Sequence, residues 1–535
     1  MKKFFAIGII ALLLAGCSSV RFVGKPLGVE TARTKVTPLS ETQKKQWHLL
    51  DLEQDSIPGI SVDRAYAELI KEKKGEKVVV AIIDSGVDIE HPCLANVLWV
   101  NEDEIPNNGL DDDQNGYVDD VHGWNFLGEA EKENMEYVRL MKITEPDSDD
   151  YKTYNSFLEK EKKKVEEELP QIKALLQRII TADSVLTVVA GKKDYSLEEI
   201  LSISPKTLAA IHLDPEFLVD ALGMKEYMQT AGFSQTDVED YSDYLQNRID
   251  YHFNLNFEGR SLVGDNPDDL NDLSYGNANV SGPDLDSAQH GTHVAGIIAA
   301  QCEDPSHPKG VAQNVALMVV RAVPDGDEYD KDVALAIRYA VDNGAKVINT
   351  SFGKDFSPHP EWVYEALRYA AAKDVLIINA AGNDNKNIDY GAAPSYPKDQ
   401  IEGTEIVNNF LTVGATAAYF AENQVAPFSN FGVSEVDIFA PGANIYSTTP
   451  KNKHDFLNGT SMAAPNVAGI AAVLRSFFPK LSAATVKKII LDSGLPLFET
   501  VMHPENQNAV APTDISKTGK IANLYNALLL ASKTK

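Results

Sequence analysis

Three cysteines in 535 residues are too few to build a disulfide scaffold. The chain must instead rely on an apolar core, and its 44% hydrophobic content is ordinary for a globular protein. Basic residues are also scarce. Lys and Arg number 49 against 78 Asp and Glu, a net charge of −29. That balance argues against a nucleic-acid binder and predicts a strongly hydrated surface. At the amino terminus Phe4–Leu14 is apolar but too short for a stable spanning helix. With Met1-Lys2-Lys3 before it, the run reads as a signal peptide. The length allows one large domain with insertions, or two or three domains.

Leu14-Ala15-Gly16-Cys17 closes that signal and resembles a bacterial lipobox. The resemblance implies cleavage before Cys17 and lipid attachment to it. An ordinary secretory signal with a chance cysteine is the alternative. Ser18, rather than Asp, favours the outer membrane of a Gram-negative cell. No acidic cluster follows in residues 18–24, so the periplasmic face is expected over the cell surface. Cys93 and Cys302 then remain. A disulfide is permitted in that compartment, but two cysteines at unrelated positions do not establish one. Free buried thiols stand equally open.

Three strings carry the chemistry: Ala81-Ile-Ile-Asp84-Ser-Gly, His290-Gly-Thr-His293-Val-Ala-Gly and Asn458-Gly-Thr-Ser461-Met-Ala-Ala-Pro465. They supply an acid, an imidazole and a hydroxyl. A serine hydroxyl is a weak nucleophile until a base takes its proton. An imidazole titrates near neutral pH and can take that proton, then return it to a leaving amine. A carboxylate on the other ring nitrogen fixes the tautomer. Asp84 ends an apolar run, Lys77–Ile83, that reads as a buried parallel strand. His290 opens a small-residue segment that reads as a buried helix. Ser461 precedes another predicted helix, Met462–Leu474, with Pro465 expected in its first turn, where a missing N–H costs little.

Taken singly, each string has a plain reading: a turn or cap for Asp84, packed core for His290, a loop for Gly-Thr-Ser. Their order, Asp then His then Ser, is what sets them apart. The chain resembles the subtilisin-like serine proteases over most of residues 45–530. The resemblance implies Ser461 as nucleophile, His290 as base and Asp84 as its orienter. In Asp374-Val-Leu-Ile-Ile-Asn-Ala-Ala-Gly382-Asn383, a buried strand ending in Gly-Asn, it implies that Asn383 donates to the oxyanion. His293 lies three residues beyond His290 on a neighbouring face; the family pattern selects His290, and His293 is expected to be structural. Substrate-binding segments are implied at Ser351-Phe352-Gly353 and at Ala380 and Gly382. The acidic loop Asp325–Asp330 falls near the opposite wall. It raises a weak expectation of basic residues upstream of the cut, against the preferred reading of a solvated loop.

The alternation after His290 predicts a doubly wound, mostly parallel sheet in a three-layer α/β fold. Its strands are Val315–Arg321, Lys346–Ser351, the Asn383 strand and Phe410–Ala415; its helices are Lys331–Asp342 and Glu361–Ala372. Leu481–Leu491 and Ile521–Leu530 read as closing helices. The expected organisation is a signal at 1–17, a polar tether at 18–45, a catalytic domain at 46–126 and 280–535, and a largely helical insertion at 127–279. The tether is too short for the folding prodomain common in such relatives. The first half of the insertion is charged and helical in Phe157–Leu169, rich in Glu and Lys at i, i+4 spacing, then Pro170, then Gln171–Ile180. A rim lid or exosite, and a solvated decoration or dimerisation hairpin, are equally open for it.

Gly109-Leu-Asp111-Asp-Asp113-Gln-Asn115-Gly116-Tyr117-Val-Asp119 repeats the start of an EF-hand loop. Asp111, Asp113, Asn115, the Tyr117 carbonyl and Asp119 are candidate ligands of a structural Ca²⁺. His122 stands where the bidentate Glu would be, and a metal-free Asx-turn loop is the alternative. The function expected is a membrane-tethered extracytoplasmic serine endopeptidase acting on protein or peptide substrates. A silent peptide-binding lipoprotein on the same scaffold and a dedicated maturation protease are the alternatives.

Overall fold

Val78–Asp84 (β1) has only apolar side chains before its final Asp. Successive residues of a strand face opposite ways: Val78, Val80 and Ile82 enter one apolar core, Ala81 and Ile83 another. Burial on both faces is the mark of a parallel sheet. In this computed structural model, residues 20–30, 32–35, 37–193, 195–203, 215–231 and 234–534 are described. The signal segment and Cys17 lie outside them. The remaining strands of the sheet are β2 (Gly123–Asn125), β3 (Val315–Arg321), β4 (Val347–Thr350), β5 (Leu376–Ala380), β6 (Phe410–Thr416), β7 (Ile438–Pro441), β8 (Leu495–Pro496) and β9 (Lys520–Ile521). Their order is β8-β9-β7-β6-β5-β4-β1-β3-β2. Every neighbouring pair is parallel except β8 with β9.

The helices are α1 (Glu136–Ile143), α2 (Asp149–Ala190), α3 (Pro215–Ala231), α4 (Gln235–Asn247), α5 (Gln289–Ala299), α6 (Asp330–Asp342), α7 (Pro360–Ala372), α8 (Thr460–Phe477), α9 (Ala483–Ser493) and α10 (Leu524–Ala531). A short helix of the inserted stretch, Leu197–Leu201, follows α2. Helices α5, α8, α9 and α10 share the core on one sheet face; α6 and α7 share the core on the other. The result is the expected three-layer, doubly wound α/β architecture. Residue 521 and its neighbour, read as the start of a closing helix, instead form β9. Among the described residues no helix is long and apolar enough to cross a membrane.

The stretch between β2 and α5 leaves and returns at one place. Asn125 and Asn277 exchange N–H···O bonds of 2.9 and 3.0 Å. Helix α2 runs through Pro170 without a break, although the ring removes one donor and crowds the preceding turn. Pro170 is exposed, while Val165 and Leu169 on the inner side are pinned in a core with Val138 of α1 and Leu245 of α4. Tertiary packing therefore carries the helix across the residue expected to divide it.

One expectation at the amino-terminal side changes, and one question left open is answered. The stretch expected as a polar tether packs Phe22 and Leu27 into the main core, with Phe22 edge-on to Phe477 and Phe478. The Leu27 N–H donates to Asn526 Oδ1 of α10 at 2.8 Å. Two apolar residues in a polar run give no period, so sequence could not reveal this docking. Cys93 and Cys302, left open above, form a disulfide.

Candidate active site

Asp84 stands at the carboxyl end of β1, the edge where open α/β sheets bind ligands. It is 2% exposed. Its Oδ1 accepts the Ser85 N–H at 2.8 Å and His290 Nδ1–H at 2.7 Å. A carboxylate can only accept, so the bond puts the His290 proton on Nδ1 and leaves Nε2 bare. His290 lies in the first turn of α5. Gly291 lets that turn come close: a Cβ there would lie 2.1 Å from the Gly86 carbonyl oxygen. Burial alone would lower the His290 pKa, but the Asp84 charge and hydrogen bond outweigh it and hold the imidazole above its ordinary value. His293, by contrast, is fully buried, bonds the Asp455 carbonyl at 3.1 Å, and is pushed down to about 3 by burial. That is a packed, neutral histidine.

Ser461 lies inside the first turn of α8 rather than before it. Its hydroxyl donates to the Ser351 carbonyl at 3.1 Å and makes no hydrogen bond to His290. Its own N–H is one of the orphan donors of a helix start. Pro465 is further into α8 than expected, and there its missing N–H frees the Ser461 carbonyl four residues back. The Ser351 hydroxyl satisfies that carbonyl at 3.1 Å. Serine and proline are thus coupled through Ser351, a pairing no local spacing announces.

Asn383 follows Gly382, whose φ of +99° suits glycine. The Asn383 Oδ1 accepts the Thr460 N–H at 2.8 Å and the Thr460 hydroxyl at 3.0 Å. Its carbonyl side being fixed, the NH₂ side is left without a protein partner among the described residues. Asn430 holds the loop beneath. Its Nδ2 donates to the Ala381 carbonyl at 2.9 Å, and its Oδ1 accepts the N–H groups of Asp384 and Lys386, both at 3.0 Å. Sequence reasoning missed Asn430 and Thr460; only the Thr of Gly-Thr-Ser was a visible signal. Ser351, Phe352, Gly353, Ala380 and Gly382 line one cavity of about 260 Å³ together with Asn383 and Ser461.

The acidic loop on the opposite wall is not solvated. Asp327, Glu328 and Asp330 are all buried beneath the helical stretch, and Asp325 is bound by Lys132 at 2.7 Å and His252 at 2.9 Å. The expectation of a free acidic loop fails because α1 and its approach cover it. With Asp325 already paired, the expected preference for basic residues upstream loses its motive.

The metal-like loop also rearranges. Asp111 accepts N–H groups of Asn115 and Gly116 at 3.0 and 2.9 Å, and the Asn115 Oδ1 accepts that of Tyr117 at 2.8 Å. Asp119, at φ +56°, turns its carboxylate away to the N–H groups of Asn108 and Gly109. The carboxyls that converge are those of Glu104, Asp113 and Asp120, with oxygens within 4.8 Å of one another. No Lys, Arg or His pairs with any of the three among the described residues, and burial pushes Asp120 up to about 6. An all-oxygen cluster of uncompensated carboxyls fits a hard cation such as Ca²⁺. Glu104 lies outside the repeat and Asp120 is off its alternation, so the motif alone could not supply them.

A sequence profile described as the Subtilase family matches residues 75–514. The thermophilic serine proteinase of Bacillus sp. strain AK1 is 40% identical over 193 residues, 36% of this chain and 44% of that protein. Subtilisin BL of Lederbergia lenta is 34% identical over 220 residues, 41% of this chain and 74% of that protein. This chain thus spans less than half of the first relative. A solved structure of the prenylagaramide maturation protease is 28% identical, with a TM-score of 0.36, covering 46% of this chain and 82% of that one.

If His290 serves as a base, Ser461 reacts only while the imidazole is neutral. The rate of Ser461 labelling by a fluorophosphonate should rise with pH to a midpoint above the ordinary 6.5. Asp84→Asn should move that midpoint down and slow labelling by about 10⁴-fold, since the wrong tautomer is then held. A midpoint unchanged by Asp84→Asn would break the link.

Proposed function

The chain belongs to the subtilase family, and on that premise we propose that it hydrolyses peptide bonds through Ser461, His290 and Asp84. The observation that carries this is the 2.7 Å bond from His290 to a buried Asp84; a separate cavity lined by both Ser461 and Asn383 supports it. For this step the Ser461 side chain must turn from the Ser351 carbonyl, which it now bonds at 3.1 Å, toward His290 Nε2. The imidazole takes the proton as Oγ attacks the substrate carbonyl. The oxyanion that forms meets two prepared donors, the Asn383 NH₂ and the Ser461 N–H. Collapse expels the amine, which leaves with the proton from His290. Water then repeats the sequence on the acyl-enzyme and releases the acid. Asp84 keeps its charge throughout and stabilises the imidazolium. Loss of the Asn383 donor should cost about 10²–10³ in kcat, the usual worth of such a group.

We further propose that the protein works outside the cytoplasm, held by lipid on Cys17 at the periplasmic face of an outer membrane. The lipobox-like string supports this. Cys17→Ser should move the protein from the membrane to the soluble fraction; retention in the membrane would count against the anchor. A structural Ca²⁺ at Glu104, Asp113 and Asp120 completes the proposal. It would neutralise the crowded carboxyls and fix the loop after β1, with no part in the hydrolytic step. Calcium at 100-fold its Kd would stabilise the fold by about 2.7 kcal/mol. The expected result is a Tm that falls in EGTA and returns with Ca²⁺, a response abolished in Asp113→Ala.

Fluorophosphonate labelling of the mature chain beside Ser461→Ala tests the central reading. Label that vanishes in the variant is expected. A folded protein that takes no label would favour a binding scaffold.

A further inference from the structure

Gly353, which lines the cavity, and Gly326, which precedes the lining residue Asp327, keep their backbone groups free. Gly353 and Gly326 have no hydrogen bond on N–H or C=O among the described residues. Unpaired backbone of this kind takes an extended peptide as an added strand. Ser351 marks the end of the track nearest the reacting atoms, since it exchanges hydroxyl-to-carbonyl bonds with Ser461. Alternate residues of a strand share one edge in antiparallel pairing. A peptide residue beside Ser351 at the cut therefore places the residue two before it beside Gly353.

Beyond Gly353 the track is occupied. Lys354 pairs its N–H and C=O with Tyr396 at 2.9 and 3.0 Å. Its ammonium crosses to the Glu328 carbonyl at 2.8 Å and is held there by Glu136 and Asp330 at 2.7 and 2.9 Å. Arg139 of α1 reaches the same Glu328 carbonyl at 3.1 Å and the Asp327 carbonyl at 2.7 Å. Met135, which caps α1, lines the cavity that holds Ser461, as do Lys354 and Asp327. At about 260 Å³, this space is below the roughly 300–1,000 Å³ of sites that enclose drug-sized ligands.

The stop is acidic. Against two cations, Arg139 and Lys354, stand the carboxyls of Glu136, Asp327 and Asp330, while burial pushes that of Glu328 up to about 8 and leaves it neutral at pH 7. Asp327 is 5% exposed and spends one oxygen on the Glu136 N–H at 2.7 Å. Burial pushes its carboxyl up to about 6, a cost that an ammonium beside it would offset.

We propose that α1 closes the cleft about three residues upstream of the cut and that Asp327 receives the free α-ammonium of the substrate. The protein then releases tripeptides from peptide amino termini, consuming one water for each bond, and the expectation of internal cutting is narrowed accordingly. This rests on the Ser461 hydrolysis proposed above.

The test offers the mature protein a tryptic peptide mixture, and the same mixture N-acetylated, with products read by mass spectrometry. Free peptides should lose three residues at a time, and acetylated ones should react at least about 10-fold more slowly, the worth of one charge-assisted hydrogen bond. Asp327→Asn should raise KM for free-amine peptides by about 10-fold and bring their rate toward that of acetylated ones. Arg139→Ala, which frees the Asp327 carbonyl and removes one of the two cations on the Glu328 carbonyl, should raise cutting of acetylated peptides relative to free ones. Internal cuts at equal rates in both mixtures, from protein whose Ser461 takes the phosphonate, would overturn the closed-cleft reading alone. Absence of the phosphonate label would overturn the hydrolase reading and this one with it.

Discussion

The contact between Gly291 and Gly86 sets the spacing of everything around it. A side chain at 291 would collide with the Gly86 carbonyl, so only glycine lets the first turn of α5 rest against the loop after β1. That approach brings imidazole to carboxylate. The carboxylate cannot drift to meet it, because β1 is paired along its whole length with β3 and over four residues with β4. Arg321, the partner of Asp84 in the β1–β3 register, adds a second restraint. Its guanidinium is 1% exposed and bonds the carbonyls of Ser85, Gly128 and Ala130 and the Asn125 side chain. Burial lowers it to about 10, still protonated at neutral pH. One buried cation thus ties the loop after Asp84 to the root of the helical stretch.

That stretch has two characters. Its outer face carries Lys162–Glu166 and Lys163–Glu167 pairs at 3.9 and 3.8 Å, exposed and worth only tenths of a kcal/mol each. Its inner face is what docks it. Tyr137, Tyr154 and Phe157 surround Phe356 from the cleft wall with ring centroids 6.4, 5.2 and 4.9 Å away. Beside them the Glu136, Arg139 and Lys354 network replaces water around the buried acids of the Asp325–Asp330 loop. Aromatic packing holds the stretch against the rim, and the charged network fixes its rotation there.

What was legible in sequence was what is written locally. β1 and β3 are uninterrupted apolar runs. Asp84, His290, Ser461 and Asn383 each sit in a short string of small residues whose backbone demands are part of the string. The rest depends on contacts between distant residues. Pro465 reads as a harmless first-turn proline until Ser351 is found supplying the bond it removes. Asp119 fits the alternation of a metal loop, yet a left-handed backbone turns it outward and Asp120 takes its place beside Glu104. The charge pattern of α2 was correctly read on its solvent side, but nothing in it shows that α1 would bury an acidic loop nearly two hundred residues later.

The Cys93–Cys302 bridge closes 209 residues of chain. Inside that ring lie β2, all of α1 to α5 and the imidazole, while the carboxylate of Asp84 lies just outside it. Within that ring the outer face of α2 is exposed, and exposed loop tips are where another protease would nick. A single break there does not divide the protein. The halves stay covalently joined a few residues from Asp84 on one side and at the end of α5 on the other, so the Asp84 carboxylate and the His290 imidazole remain on one leash. Wear at the rim is thereby uncoupled from loss of the centre.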